Sequence, residues 1–150
     1  MSKKFVDKEQ FFLLIEAGFV AIHQADEDSA KKIFKACELL NPTNMLPRIG
    51  MGYLHFHKLQ LKQAAEIFSK ILESEPSNEM AKTLLGMTLS MSPTKGGEGE
   101  KILTDICKNS DDPQIKRVAD SAIDFVDKFV KKKSPSPLEP QIKEQKPKQK

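Results

Sequence analysis

The clearest hydrophobic pattern in the chain lies between residues 113 and 131. Apolar residues recur there at intervals of three and four positions, as Ile115, Val118, Ala122, Phe125, Val126 and Phe129. This spacing predicts a helix with one apolar face, and Asp112 followed by Pro113 is typical of a helix start. Upstream we predict six more helices, at about 8–24, 27–40, 44–58, 61–74, 78–91 and 97–109. Runs of β-branched and aromatic residues bounded by turn residues are rare, so the pattern predicts an all-α fold.

Residues of the same type recur every 34 positions through most of the chain. The recurring residues are Gly18, Gly52 and Gly86; Ala30 and Ala64; Phe34 and Phe68, with Ile102 at the next position; Pro42 and Pro76; and Asn44 and Asn78. A fixed period of this length predicts repeats of one helical pair each, which we place at 11–44, 45–78 and 79–112. The third repeat is degenerate, because Glu98 stands where alanine is expected and Ser110 where proline is expected.

The glycine, alanine, phenylalanine and proline positions resemble those of the tetratricopeptide repeat. A glycine in the first helix of a pair lets the second helix approach closely, and the proline ends the second helix. The resemblance implies a right-handed superhelical solenoid of three repeats and six helices within a domain at 1–131, in which the helix at 113–131 caps the last apolar face. Residues 132–150 contain four prolines and no periodic apolar pattern, so we expect a disordered Lys/Pro-rich tail there.

Charge and hydropathy narrow the functional classes. Residues 131–150 hold seven lysines and two glutamates, a net charge of +5, whereas the whole chain carries +3, so residues 1–130 carry −2. A slightly acidic folded part does not favour nucleic-acid binding. The longest uninterrupted apolar run is Phe11–Ile15, far shorter than the roughly 18 residues of a membrane span. Cys37 and Cys107 lack CxxC spacing, and no apolar signal core follows the N-terminus, so we expect a cytoplasmic protein with reduced thiols.

Candidate catalytic and metal-binding groups are few. His55 and His57 are two positions apart on a predicted helix, so they point to different sides and do not chelate together. His23 and His57 occupy equivalent repeat positions, but no carboxylate or thiol is expected beside them. The glycine-rich stretch 96–101 lacks both the GK[ST] ending and the preceding strand of a phosphate loop. We therefore expect no metal, no cofactor and no enzymatic activity.

In the repeat fold that the sequence resembles, the first helix of each pair lines a concave groove that binds partners. The resemblance places ten large apolar or aromatic residues in this groove: Phe12, Ile15, Phe19, Ile22, Leu46, Ile49, Tyr53, Phe56, Met80 and Met87. A contiguous apolar surface of this kind is rarely left unused by a monomer. Methionine side chains adapt to varied ligands, and an amphipathic helix is the occupant that such a groove favours.

The groove residues also argue against one class of repeat domain. Domains that hold the acidic C-termini of heat-shock proteins resemble one another in a clamp of Lys, Asn and Arg side chains. The corresponding positions here carry Ile15, Phe19, Gly50, Met80 and Leu84. These residues offer a carboxylate no side-chain donors, so we exclude that class.

A three-repeat chain with an apolar groove and a capping helix is similar to the tetratricopeptide chaperones of bacterial type III secretion systems. The stretch from Glu16 to Phe34, the string Gly50–Tyr53 and the start of the first repeat at residue 11 favour the branch that protects the needle subunit. The resemblance implies a bacterial cytoplasmic chaperone that sequesters an amphipathic helix of the needle subunit and prevents premature polymerisation. It also implies a second small helical co-chaperone as a partner. Two alternatives stay open: a translocator chaperone of the same system, and a general tetratricopeptide scaffold that joins two folded proteins.

Overall fold

The structure, a computed structural model, describes residues 6–131, and these form seven α-helices. Their bounds are α1 Lys8–His23, α2 Glu27–Leu40, α3 Leu46–His57, α4 Leu61–Ser74, α5 Glu79–Ser90, α6 Gly96–Asn109 and α7 Pro113–Phe125, with a π-helical extension at Val126–Val130. No strand occurs within residues 6–131, so the predicted all-α fold is confirmed. The tail predicted at 132–150 lies outside the described residues.

Side chains at the helix starts explain why the helices begin where they do. Asp7 accepts a hydrogen bond from the backbone N–H of Gln10, and the Gln10 side chain accepts one from the N–H of Asp7, which completes a capping box. The Asn78 side chain caps α5 by accepting a hydrogen bond from the backbone N–H of Ala81. Asp112 accepts from two backbone N–H groups in the first turn of α7. Each of these carboxylates or amides satisfies a donor that the helix itself leaves unpaired.

Phe34 occupies the centre of the first repeat. Its ring is fully buried, and it lies against Gly18 of α1 and Gly50 of α3. A Cβ atom at Gly18 would approach the ring to 2.6 Å. Phe68 packs against Gly52 in the second repeat in the same manner. Gly18 and Gly52 therefore make room for a phenylalanine ring of the second helix.

The turns inside the first two repeats depend on one residue with a left-handed backbone. Ala25 and Leu59, which are 34 positions apart, have φ angles of 59° and 58°. The equivalent residue of the third repeat is Pro93, and the proline ring holds φ near −65°. The third turn therefore takes a different path and has five residues instead of three, because α5 ends one residue early and α6 begins one residue late, at Gly96.

This longer turn shifts α6 by one residue relative to the 34-residue period. Gly99, not Glu98, takes the place of the recurring alanine and lies against the backbone of α5 at Gly86 and Ser90. Leu103, not Ile102, is the fully buried residue that corresponds to Phe68. The expected equivalence of Ile102 and Phe68 is therefore wrong by one position.

The helices stack so that the first helices of the pairs are successive neighbours. α1 contacts α3, α3 contacts α5, and α5 contacts α7. α2 lies against α1 and α3, α4 against α3 and α5, and α6 against α5 and α7. Helix α7 closes the third repeat, because Ala119 and Ala122 pack against Leu103 and Ile106 of α6. The right-handed superhelical path implied by the resemblance stays a prediction.

Candidate protein-binding cleft

Three of the ten predicted groove residues belong to the core. Ile15, Ile22 and Ile49 are 4%, 1% and 1% exposed. Ile15 and Ile22 pack in the cluster around Phe34, and Ile49 packs in the cluster around Phe68. The expectation that Ile15 and Ile22 line an open groove is wrong, because α2 and the neighbouring first helix cover them. Ile49 has the same low exposure, but it borders a surface cavity.

Three other predicted residues lie apart from the main cleft. Phe12 is exposed near the start of α1, where its ring meets that of Phe11 edge to face at 5.7 Å. Leu46 and Met80 line a cavity of about 460 Å³ together with Ile49, Asn41, Asn44 and Glu75. This cavity is bordered by polar groups of the inter-repeat turns, and the structure does not join it to the remaining predicted residues.

An aromatic cluster spans α1 and α3 on the first-helix face. Its members are Phe19, His23, Tyr53, Phe56 and His57, with neighbouring ring centroids 5.6 to 6.3 Å apart. Such separations are those of favourable aromatic pairs. Burial raises the pKa of the Tyr53 phenol, so this ring stays neutral. The cluster confirms that equivalent positions of two repeats meet, as the 34-residue period requires.

A cavity of about 560 Å³ continues from this cluster between α3, α5 and α7, and we call it the α3–α7 cleft. Its lining residues are Phe56, His57, Leu59, Met87, Met91, Arg117, Val118, Ser121, Ala122, Phe125 and Val126. Phe56 and Met87 are the two members of the predicted groove set among them. The cleft volume falls within the usual range of roughly 300–1,000 Å³ for binding pockets.

The walls of the α3–α7 cleft expose large apolar side chains. Leu59, Val118 and Phe125 are 67%, 46% and 47% exposed. The ring of Phe125 lies against that of Phe129, tilted by 36° with the centroids 5.0 Å apart, and Phe129 is also exposed. Helix α7 therefore presents two apolar surfaces, one packed on α6 and one open to solvent beside α5. An open apolar surface next to a cavity is a recognised mark of a binding site.

The contribution of α7 is the part of the site that the sequence analysis missed. The sequence predicts that the apolar stripe of this helix covers the last repeat, and Ala122 and Val126 do so together with Ala119. Val118 and Phe125 lie seven residues apart at the edge of the stripe, beyond the width that capping needs. The width of the apolar stripe was therefore the feature of the sequence that could have indicated a second apolar surface on α7. Leu59 was missed because it belongs to a turn and not to a helix.

Residues 6–131 contain neither a cluster of metal-binding side chains nor a helix that could span a membrane. His23 and His57 meet edge to face with centroids 5.7 Å apart. However, no group of three or more His, Cys, Asp and Glu side chains within residues 6–131 is placed to hold a metal ion. Of the seven helices described, none has the length and apolar character required to cross a membrane.

Comparison with known proteins shows a distant similarity that covers part of the chain. No family model matches the chain, and no solved structure matches it. The chain is similar to the human protein named tetratricopeptide repeat protein 6, with 32% identity over 66 residues. The fold is tetratricopeptide-like. The matched region is 44% of this chain but 13% of that relative, so the likeness concerns the repeat and not the whole relative.

A tetratricopeptide-like stack of helical pairs is a typical scaffold for binding other proteins. Each pair buries its apolar face only against its neighbours, and the stack leaves an extended surface for partners. In this chain that surface has a defined apolar site, the α3–α7 cleft. Its lining is mostly apolar and contains no carboxylate.

Proposed function

We propose that this protein binds an amphipathic helix of another protein in the α3–α7 cleft. The observation that carries the proposal is the exposure of Leu59, Val118 and Phe125 around an apolar cavity. A helix laid into the cleft would cover all three side chains with its apolar face. Each of them would then contribute on the order of 1 kcal/mol, since a fully buried side chain of this size contributes about 1.5–3 kcal/mol.

We further propose that the bound helix belongs to the needle subunit of a bacterial type III secretion system. Support comes from the resemblance to the chaperones of that system and from an apolar site of the size and type that a short helix requires. A subunit that polymerises through its own amphipathic helix would be held monomeric while this helix is sequestered, so the protein would act as a cytoplasmic chaperone. The second small helical co-chaperone that the resemblance implies would use a surface outside the cleft.

Two charge-introducing variants test the site. Val118→Glu and Phe125→Glu place a carboxylate on the open wall of the cleft, where covering it with an apolar helix would leave a buried charge unpaired. Leu39→Glu is the matched control, because Leu39 is exposed on α2 and does not line the cleft. Tagged versions of the wild type and all three variants are used to capture partners from the native cell, with the melting temperature of each variant measured first.

The proposal predicts that one small, helical, self-assembling protein is recovered with the wild type and with Leu39→Glu. Both cleft variants should lose it while melting within a few degrees of the wild type, since the replaced side chains are about half exposed. Recovery of larger folded proteins in equal amounts with all four versions would contradict the proposal and favour the scaffold function.

A further inference from the structure

Arg117 is the charged side chain that the α3–α7 cleft presents to a partner. It is exposed on α7 and lines the cleft next to Val118 and Ser121. Apart from His57, the other residues that line the cleft carry no titratable group. A helix that fills the cleft therefore meets one permanent positive charge at the edge of an otherwise apolar surface.

The carboxylates of α7 and of its π-helical extension do not neutralise this guanidinium. Asp124 forms an ion pair with Lys128 at 2.7 Å, and Asp127 forms one with Lys131 at 3.0 Å. Asp120 lies within electrostatic reach of the Cys107 thiol on α6, whose pKa it helps to raise. Within residues 6–131 no carboxylate oxygen lies within 4.0 Å of the Arg117 nitrogens.

Covering Arg117 without a partner for its charge is unfavourable. A helix that seals the cleft displaces water from the guanidinium, and an unpaired charged donor then loses its hydrogen bonds. A carboxylate restores them, because the planar guanidinium donates two parallel hydrogen bonds to its two oxygens. The same contact fixes the register of the helix, which an apolar surface alone specifies weakly.

We propose that the helix bound in the α3–α7 cleft carries a carboxylate beside its apolar face, and that Arg117 selects for it. This inference rests on the proposed function, since it concerns the same cleft and the same kind of occupant. It adds the charge of the partner at one defined position. A helix with lysine at that position is disfavoured by repulsion as well as by the missing hydrogen bonds.

A displayed peptide library tests the proposal without knowledge of the natural partner. Each peptide is an amphipathic helix with a fixed apolar stripe of Leu, Ile, Val and Phe, and the positions flanking the stripe vary among Glu, Gln and Lys. The library is selected on the full chain of the wild type, Arg117→Gln, Arg117→Glu and Lys116→Gln. Lys116 is the matched control, because it is the preceding cation on α7 and does not line the cleft.

On the wild type and on Lys116→Gln, Glu should be enriched over Gln by about threefold to tenfold at one flanking position, as expected for a partly exposed charged hydrogen bond. Arg117→Gln should abolish this enrichment, and Arg117→Glu should replace it with enrichment of Lys. Selection on the wild type in about 1 M salt, where the Debye length is about 3 Å, should reduce the enrichment of Glu.

Two results would overturn the inference and separate it from the proposed function. Library binding to the wild type with no preference among Glu, Gln and Lys, or with a preference that Arg117→Gln leaves unchanged, refutes the selection of a carboxylate but leaves helix binding intact. Absence of any selectable peptide on the wild type refutes both the inference and the proposed function.

Discussion

The packing of glycines on Phe34 leads to a prediction at the scale of single residues. Gly18→Ala places a methyl group 2.6 Å from two atoms of a ring that has no room to move, since Gly50 lies against the same ring. Overpacking of this kind costs about 1–3 kcal/mol, which exceeds or matches the roughly 1 kcal/mol by which alanine favours a helix over glycine. We expect a net decrease of up to about 2 kcal/mol in the free energy of unfolding, measured in urea.

Gly97→Ala is the control for this change. No atom lies within 4 Å of a Cβ at Gly97 in the first turn of α6, so alanine there should leave stability unchanged or raise it by up to about 1 kcal/mol. Equal effects of the two substitutions would contradict the packing of Phe34 described above.

The two thiols provide a second prediction at this scale. Burial raises the pKa of Cys37, which is fully enclosed, and that of Cys107, which is half-buried near Lys116. Since the thiolate is the reactive form, both thiols should react more slowly with a disulfide reagent than a free cysteine does, Cys107 first and Cys37 only when the protein opens. Equal rates for Cys37→Ser and Cys107→Ser variants in the folded state would refute this order.

At the scale of elements, the one-residue shift of α6 makes Leu103 and Ile102 unequal. Leu103 is fully buried and Ile102 is not, so Leu103→Ala should cost about 2–5 kcal/mol in the free energy of unfolding. Ile102→Ala should cost less than half as much. The strict 34-residue period predicts the opposite order, so comparing the two urea transitions distinguishes the two alignments.

The elements themselves were predictable from local signals. Helix bounds agree with the predicted ranges to within two residues for α1 to α6, because capping residues and turn residues act on their immediate neighbours. At α7 the α-helix ends at Phe125 and a π-helical extension follows. The apolar pattern of residues 113–131 does not distinguish these two helical forms.

At the scale of the whole molecule, α7 has two roles that can be separated. A chain ending at Asp112 would expose Leu103 and Ile106 and would lose one wall of the α3–α7 cleft. We expect a lower melting temperature, binding of a hydrophobic dye and loss of partner binding. Val118→Ser combined with Phe125→Ser, in the full chain, should lose partner binding while the melting temperature falls by no more than a few degrees. Retention of partner binding without α7 would refute its role in the cleft.

The candidate site was only partly predictable for a reason that belongs to this scale. The repeat positions indicated correctly which helices face each other, and the aromatic pair of Phe19 and Tyr53 follows from them. Which of those side chains stay accessible depends on neighbours from other repeats. Ile22 and Ile49 satisfy the same positional pattern as Phe56 and are nevertheless buried.

The sequence by itself determined the all-α class, the bounds of α1 to α6, the repeat and the core phenylalanines Phe34 and Phe68. These features follow from periodicity, capping and the size of a few side chains, all of which act over a few residues or at a fixed spacing. The tertiary structure decided three further features: the one-residue shift after Pro93, the burial of Ile15, Ile22 and Ile49, and the recruitment of Val118 and Phe125 into the α3–α7 cleft. Each depends on which surfaces meet when the helices stack, because accessibility is a property of the assembled neighbours and not of one helix.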